Sequence, residues 1–331
     1  MKTWAYLETN NNEVNLSSWE ALALASSFGA SSAILIGSNV EKLVSLAFEY
    51  GAESVAISDH PNLIDFRSDQ YASILAEYAR AEKPDLIIFP NTFRSRELAA
   101  MLSIDLECGI MVDITALEEV EGTLIATRPI YEGKALEKIM CSTSTQLLTI
   151  RSRAFPMPAK KTASVVSIIK MSHSDHSLTK VETTSESEGG VSLANAKVIV
   201  SAGRGITNNP KLSMDEKVNA EEGLRLVKAL ADRLGGAIGA SRAIVDGGYL
   251  PYSHQVGQTG KVVSPDLYIS AGISGSIQHM VGMRSSKLVL SINKDPEAPI
   301  FEVSDIGIVG DLFDYLPLLT DEFKRSLGLK D

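Results

Sequence analysis

The stretch "DLYISAGISGSIQHMVGM", Asp266 to Met283, decides how the second half of this chain is read. Leu267 to Ala271 is a short, mostly apolar run. Gly272, Ser274, Gly275 and Ser276 follow, and helical spacing resumes after them. A strand, a small-residue loop and a helix in that order describe the carboxyl edge of an open parallel α/β sheet. Glycine lets a ligand lie close to backbone. A helix start offers unpaired N–H groups and a partial positive charge, which suits an anion.

Three other segments are expected to end strands in the same way: "SAGRG" (Ser201 to Gly205), "GASR" (Gly239 to Arg242) and "VGQTG" (Val256 to Gly260). One such loop would be only a turn. Several converging on one sheet edge point to a large phosphate-bearing ligand, a nucleotide or dinucleotide. The familiar signatures do not fit. "GQTGKV" lacks Walker spacing, and no GxGxxG occurs. "GISGS" puts Ser276 where a nucleophile elbow needs glycine, so a hydrolase using Ser274 with His254 or His279 is the lesser reading. Arg242 and His279 stand out among ionisable groups. Composition alone reads them as a surface ion pair and a hydrogen-bonded core histidine.

The alternation extends in both directions. "AKVIVSAGRG" is a strand entering a glycine turn. "NAEEGLRLVKALADRLGG" is a helix, with Leu224, Val227, Leu230 and Leu234 on one face and Gly235 as a stop. "SMDE", Ser213 to Glu216, has capping-box spacing upstream of it. "SKLVLSINKDPEAPIFEVSDIGIVGDLFDYLPLL" gives two more strands and a last helix. In the first half, "WAYLE", "SAILIG", "SVAIS" and "DLIIFP" are strands. They alternate with helices in "WEALALASSFG", "VEKLVSLAFEYG" and "QYASILAEYARAEK". Beyond "SRELAAMLSIDL", the segments "TLIATRPIYEG", "KALEKIMCSTSTQLLTIR" and "ASVVSIIKM" read as antiparallel strands closing the domain. "SHSDHSLTKVETTSESEGG", Ser172 to Gly190, is polar and reads as a linker. His173 and His176 form H-x-x-H within it. With no third ligand nearby, they read as solvated residues rather than a metal site.

The fold class is therefore α/β in two domains. Residues 1–171 form an N-terminal, mostly parallel domain with added antiparallel strands. Residues 172–190 are the linker, and residues 191–331 form a Rossmann-like nucleotide-binding domain ending in a helix. The net charge of −10 argues against nucleic acid and anionic membrane surfaces. No apolar run is long enough to span a bilayer. "MKTWAYLETN" lacks the features of a signal or transit peptide, so a cytoplasmic location is expected, or the mitochondrial matrix had a leader been removed. Cys108 and Cys141 belong to no CxxC pair and read as small buried hydrophobes.

At these loops the sequence resembles the alpha subunit of electron transfer flavoprotein. The likeness runs through "GRG" (203–205), "GASRAIVDGGYLP" (239–251), "QVGQTGKVVSPDLYISAGISGSIQHMVGM" (255–283) and "INKDPEAPIFEVSDIGIVGDLF" (292–313). In the first half it includes "RPIYEGKAL" (128–136). The resemblance implies a heterodimer with a beta subunit and one FAD in this chain's second domain. AMP or a second FAD would lie in the beta subunit. The first domain would pack on the beta subunit, and the second would swing to bring its flavin to partners. The chain would be an electron carrier rather than a stand-alone enzyme. It would take electrons from flavoprotein dehydrogenases, such as the acyl-CoA dehydrogenases of fatty acid beta-oxidation. It would pass them to a quinone reductase, ferredoxin or flavodoxin. The alternative is a subunit of an electron-bifurcating, NADH-oxidising complex; a nucleotide-sensing module is more remote.

Carried over by motif, Gly203, Arg204 and Gly205 would approach the FAD diphosphate or adenosine portion. Ser241 would meet the diphosphate and Arg242 the isoalloxazine ring. Gln258 and Thr259 would face the flavin. Gly272, Ile273, Ser274, Gly275, Ser276 and Ile277 would line the ribityl chain and diphosphate. His279 would sit near the pyrimidine end of the ring. Asn293, Asp311 and Leu312 would contact the adenosine half. Val256, Gly257, Gln278, Lys294 and Asp295 complete the implied cofactor-binding set. Arg242 and His279 would tune the redox potential, with no catalytic side chain and no metal. Between "GRG" and the helix, the stretch 206–223 is longer than the family's usual link, and its role is open.

Overall fold

The computed structural model describes residues 1–10, 13–160, 167–172, 177, 179, 181, 193, 196–209, 211–212 and 214–326. The chain divides into two compact units, 1–185 and 186–331. His173 and His176 lie outside the described residues, as does most of 172–190.

The first unit is built on a seven-stranded, wholly parallel sheet. Its order is Ile168–Lys170, Ser54–Asp59, Ser31–Gly37, Thr3–Tyr6, Leu86–Pro90, Gln146–Ile150, Gly109–Ile114. Strands covered on both faces need apolar side chains at every position. Trp4, Ile34, Ile36, Ile87 and Phe89 pack on one face; Ala5, Leu7, Ala33, Leu35 and Ile88 pack on the other. The first helix, Leu16–Ser27, begins ahead of Trp19 because Asn15 caps it, accepting from the Ser17 N–H at 3.1 Å.

One expectation is corrected here. Of those closing segments, Thr123–Ile130 and Ala135–Ile139 are antiparallel, in a separate three-stranded sheet with Ala116–Val120. Gln146–Ile150 and Ile168–Lys170 return to the main sheet as parallel strands. Burial explains the difference for Gln146–Ile150, whereas Ile168–Lys170 is an exposed edge strand. The antiparallel strands expose many side chains, whereas Leu147, Leu148, Thr149 and Ile150 are fully buried. Cys108 and Cys141 are half-buried rather than core residues, and they pack against opposite faces of the sheet.

The second unit has a five-stranded parallel sheet, ordered Ala237–Ala240, Val198–Ala202, Leu267–Ala271, Val289–Asn293, Ile306–Val309. Val200, Ala202, Ile269, Ala271 and Ile292 pack against the helices Glu216–Arg233 and Leu312–Ser326. The first of these helices starts at Asp215, whose carboxylate accepts from the Lys217 N–H at 2.9 Å. The expected capping box is thus replaced by a one-residue cap, and Ser213 lies outside the described residues. The first strand of the unit lies between the second and the third. Chain order therefore reverses beside Val198–Ala202, and a crevice is left at the carboxyl ends of the strands there.

Candidate functional site

Two loops leave that reversal point in contact. The Gly203 N–H donates to the Ala271 carbonyl at 2.8 Å, and the Gly205 N–H to the Gly272 carbonyl at 3.0 Å. A Cβ on Gly203 would lie 2.2 Å from the Gly272 oxygen. "GRG" is therefore a packing requirement of this edge as well as a turn. In the second loop Gly275 has φ +86°, and a Cβ there would lie 2.2 Å from the Ile300 nitrogen. That nitrogen in turn donates to the Ser274 carbonyl at 3.1 Å.

Two more loops close the crevice. The Ser241 N–H donates to the Ala202 carbonyl at 2.9 Å, which fixes the start of the short helix Arg242–Asp246. The "VGQTG" segment does not end a sheet strand, contrary to expectation. It follows the single turn Tyr252–His254 and is held by the Val256 N–H on the Ala240 carbonyl at 2.9 Å. The Gln258 N–H on the Gln278 carbonyl, at 2.7 Å, ties it to the helix Ile277–Met283.

Together these loops enclose a cavity of about 1060 Å³. Its wall includes Arg204, Gly205, Ser241, Arg242, Val256, Gly257, Gln258, Thr259, Gly272, Ile273, Ser274, Ser276, Gln278, His279 and Asn293. The remaining residues of the sequence-derived set stand off the wall. Gly203 and Gly275 form the loop contacts just described. Ile277 opens the helix after Ser276. Lys294 pairs with Asp311 at 3.0 Å. Asp295 is engaged in a local turn, accepting from the Glu297 N–H at 3.0 Å. Asp311 caps the last helix by accepting from the Phe313 N–H at 3.0 Å, and Leu312 is buried in the core behind Gly272.

The wall also includes Thr207, Asn208, Met214, Glu216, Asn219, Ala243 and Gln255, which the sequence reading missed. Five of them fall within 206–223, the stretch expected to be longer than the family's usual link. Their signal was helical spacing: Glu216 and Asn219 are three apart at the helix start. Asn219 Nδ2 donates to the Thr207 carbonyl at 3.3 Å, tying that helix to the loop.

Electrostatics single out two residues. His279 is buried, with Nε2 2.9 Å from the Tyr268 hydroxyl and Nδ1 without a hydrogen-bond partner. Desolvation holds its pKa down at about 4, against a smaller opposing effect of the Val256 carbonyl. Within this chain it is a neutral ring at pH 7. Arg242 is exposed and pairs with Asp246 at 3.2 Å, one helical turn away. The Ser241 hydroxyl is buried and has no partner. Arg204 and Arg242 face one wall carboxylate, Glu216, so the cavity is locally basic in an acidic chain.

Residues 3–176 match the family model described as electron transfer flavoprotein domain, and residues 192–284 match electron transfer flavoprotein FAD-binding domain. The chain belongs to the electron transfer flavoprotein alpha-subunit family. It is 39% identical to the electron transfer flavoprotein subunit alpha of Bacillus subtilis over 323 residues, covering 96% of each chain. It is 37% identical to the subunit of that name from Thermoanaerobacterium thermosaccharolyticum, covering 97% of each. It is 33% identical to the acryloyl-CoA reductase electron transfer subunit beta of Anaerotignum propionicum, covering 88% of this chain and 86% of that one. The second unit is thus a flavin-binding domain of this family, and the cavity lies within it. No helix among the described residues is long and apolar enough to cross a membrane.

The wall suits a flavin nucleotide. The volume exceeds what a mononucleotide needs. Two buried polar atoms, Ser241 Oγ and His279 Nδ1, lack partners within the chain, which is the condition of groups kept for a ligand. Two arginines on the wall supply positive charge for an anionic ligand.

Proposed function

We propose that the chain is the FAD-binding subunit of a heterodimeric electron carrier. It accepts electrons from flavoprotein dehydrogenases, acyl-CoA dehydrogenases among them, and passes them to a downstream quinone reductase, ferredoxin or flavodoxin. The observation that carries this reading is the roughly basic, 1060 Å³ cavity whose wall holds the orphaned Ser241 Oγ and His279 Nδ1. FAD bound there supplies reversible electron transfer; the chain holds it and biases its potential. Arg204, the Ser241 hydroxyl and backbone of the 272–276 loop hold the diphosphate. Asn293 stands toward the adenosine half. The uncharged His279 offers a hydrogen bond to the ring, and Arg242 offers a positive charge.

The beta subunit binds the first unit and carries AMP or a second FAD. The relative named for acryloyl-CoA reductase supports a CoA-linked flavoprotein as redox partner. A cytoplasmic location completes the proposal. Flavin count tests the variant in which the heterodimer bifurcates electrons from NADH: two FAD per heterodimer support it, and one excludes it.

The direct experiment is co-expression with the beta subunit, followed by absorption spectroscopy and cofactor extraction. Flavin bands near about 380 and 450 nm, with FAD released on denaturation, are expected. A colourless heterodimer that takes up no FAD on reconstitution would overturn the reading. Ser241→Ala then asks whether this cavity is the site, since it should weaken FAD binding to the heterodimer.

A further inference from the structure

His279 is held from behind by a second buried polar side chain. Tyr268, on the Leu267–Ala271 strand, is fully buried, and its hydroxyl lies 2.9 Å from His279 Nε2. The rings are tilted 57° with centroids 6.2 Å apart, so they meet edge to edge through this bond rather than by stacking. Ser201, on the adjoining strand, has a buried hydroxyl without a partner in good hydrogen-bond geometry, and its lowering effect on the phenol is smaller than that of burial. Among the described residues, His279 is thus the one side chain in good geometry to receive the phenol proton.

A neutral imidazole has one N–H and one acceptor nitrogen, and a phenol has one O–H to place. If Nε2 carried the ring hydrogen, the Tyr268 O–H would be buried with only the poorly placed Ser201 hydroxyl to accept it. Buried donors are rarely left so. Burial also pushes the phenol far above its ordinary range, so it keeps its proton. The O–H therefore donates to Nε2, and the ring hydrogen sits on Nδ1. That nitrogen has no partner in hydrogen-bond geometry within the chain, and His279 lines the cavity.

We propose that Tyr268 is a positioning residue. Its hydroxyl fixes His279 as the Nδ1–H tautomer and so presents the cavity with an uncharged N–H donor for an oxygen acceptor. On the flavin reading, on which only this last step rests, the acceptor is a carbonyl oxygen of the flavin ring. The pairing also explains why a histidine and not a lysine stands here. A lysine would carry charge into a buried site, and it has no second nitrogen through which the strand could orient it.

The test is nitrogen-15 NMR of the full chain labelled at histidine, with His279 assigned by its loss in His279→Gln. The wild type should show the Nδ1–H pattern. Tyr268→Phe removes one oxygen, keeps the ring, and should convert His279 to a mixture or to Nε2–H. An Nε2–H wild type, or an unchanged tautomer in Tyr268→Phe, would overturn the proposal. Flavin affinity provides a second readout. Tyr268→Phe should raise the FAD dissociation constant by up to about tenfold in the wild-type heterodimer, and by much less in a His279→Gln background. Equal losses in both backgrounds would also overturn it, because Tyr268 would then not act through His279. A tautomer change in a chain that binds no FAD supports the positioning role and removes the flavin reading alone.

Discussion

The two units use the same device, a parallel sheet whose chain order reverses, and they treat its carboxyl edge in opposite ways. In the first unit several donors at that edge are already matched by internal carboxylates. Asp59 accepts from the Asn39 and Glu41 N–H groups at 2.7 and 2.8 Å. Glu8 accepts from the Ser95 hydroxyl at 2.5 Å and from the Thr92 hydroxyl. What remains is a pocket of about 360 Å³ whose wall includes Glu8 and Asn39. In the second unit, a cavity about three times larger keeps a serine hydroxyl and a histidine nitrogen unmatched. Buried polar groups need partners. One edge finds them within the chain, and the other leaves them for a ligand. Fold alone therefore does not mark a binding site here; unmatched polar groups on residues that line a large cavity are the sharper sign.

The largest expected effect comes from breaking the open edge itself. Gly275→Ala places a Cβ 2.2 Å from the Ile300 nitrogen at φ +86°. Left-handed strain and overpacking together cost about 2–5 kcal/mol. Hydrogen exchange should show the second unit destabilised and the first unchanged, with flavin lost from the heterodimer. Gly122→Ala, at φ +78° but with open space around it, is the control and should cost about 1–2 kcal/mol in the first unit alone. Equal effects of the two substitutions would remove the argument that the loops are packed for a ligand.

The units should also respond to acid with opposite signs. Burial raises the Glu20 carboxyl from its ordinary 4.5 to about 7, against the lowering effect of hydrogen bonds from the Arg153 and Phe155 backbone. A raised folded-state pKa contributes stability that is full below pH 4.5 and is lost as pH rises through about 7. His279 is the reverse: its pKa falls from 6.5 to about 4, so its contribution is full above pH 6.5 and is lost as pH falls through about 4. Each window is worth about 3 to 4 kcal/mol at most. Unit-resolved hydrogen exchange from pH 4 to 8, comparing wild type with Glu20→Gln and His279→Gln, checks this. Each variant should flatten the profile of its own unit only. Parallel profiles in both units would contradict the sign difference.

Much of this contrast was legible in the sequence, for uneven reasons. Runs such as "LIIFP" and "AILIG" declare strands buried on both faces, and glycine loops declare the edge of the second sheet. The pairing direction of Gln146–Ile150 was not legible. Direction depends on which neighbours cover the strand, and nothing local encodes that. Glu216 and Asn219 were missed because their place on the cavity wall follows from where the helix starts, and the cap proved to be Asp215. The state of His279 was hidden as well. Its neutrality comes from burial and its orientation from Tyr268, eleven residues earlier on the strand behind it.

Ser241→Ala tests a smaller effect. The hydroxyl has no partner within the chain, so its removal should leave the stability of the flavin-free protein within about 0.5 kcal/mol. If it binds diphosphate, its loss should weaken FAD binding by about 10- to 100-fold, the range for a hydrogen bond to a charged group. Calorimetric titration with FAD and a melting curve without it separate the two roles. A large stability loss with unchanged affinity would move Ser241 to the matched class that the first unit exemplifies.

The smallest effect belongs to Arg242, because its charge is shared before any ligand arrives. Its ion pair with Asp246 is more than half exposed on both sides, and such pairs contribute about 0.5 kcal/mol or less. Arg242→Ala should therefore leave stability unchanged. If the guanidinium faces the ring, the substitution should lower the first reduction potential of the bound flavin, by about 59 mV for each 1.4 kcal/mol of lost interaction. Asp246→Asn supplies the opposing arm. It frees Arg242 from its helical neighbour, so it should raise the same potential by a smaller amount. Potentiometric titration of both variants beside wild type reads the two shifts. Opposite signs mean that Arg242 divides its charge between its own helix and the cavity. Two null results would mean that Arg242 is a surface ion pair, matched internally as Asp59 and Glu8 are in the first unit.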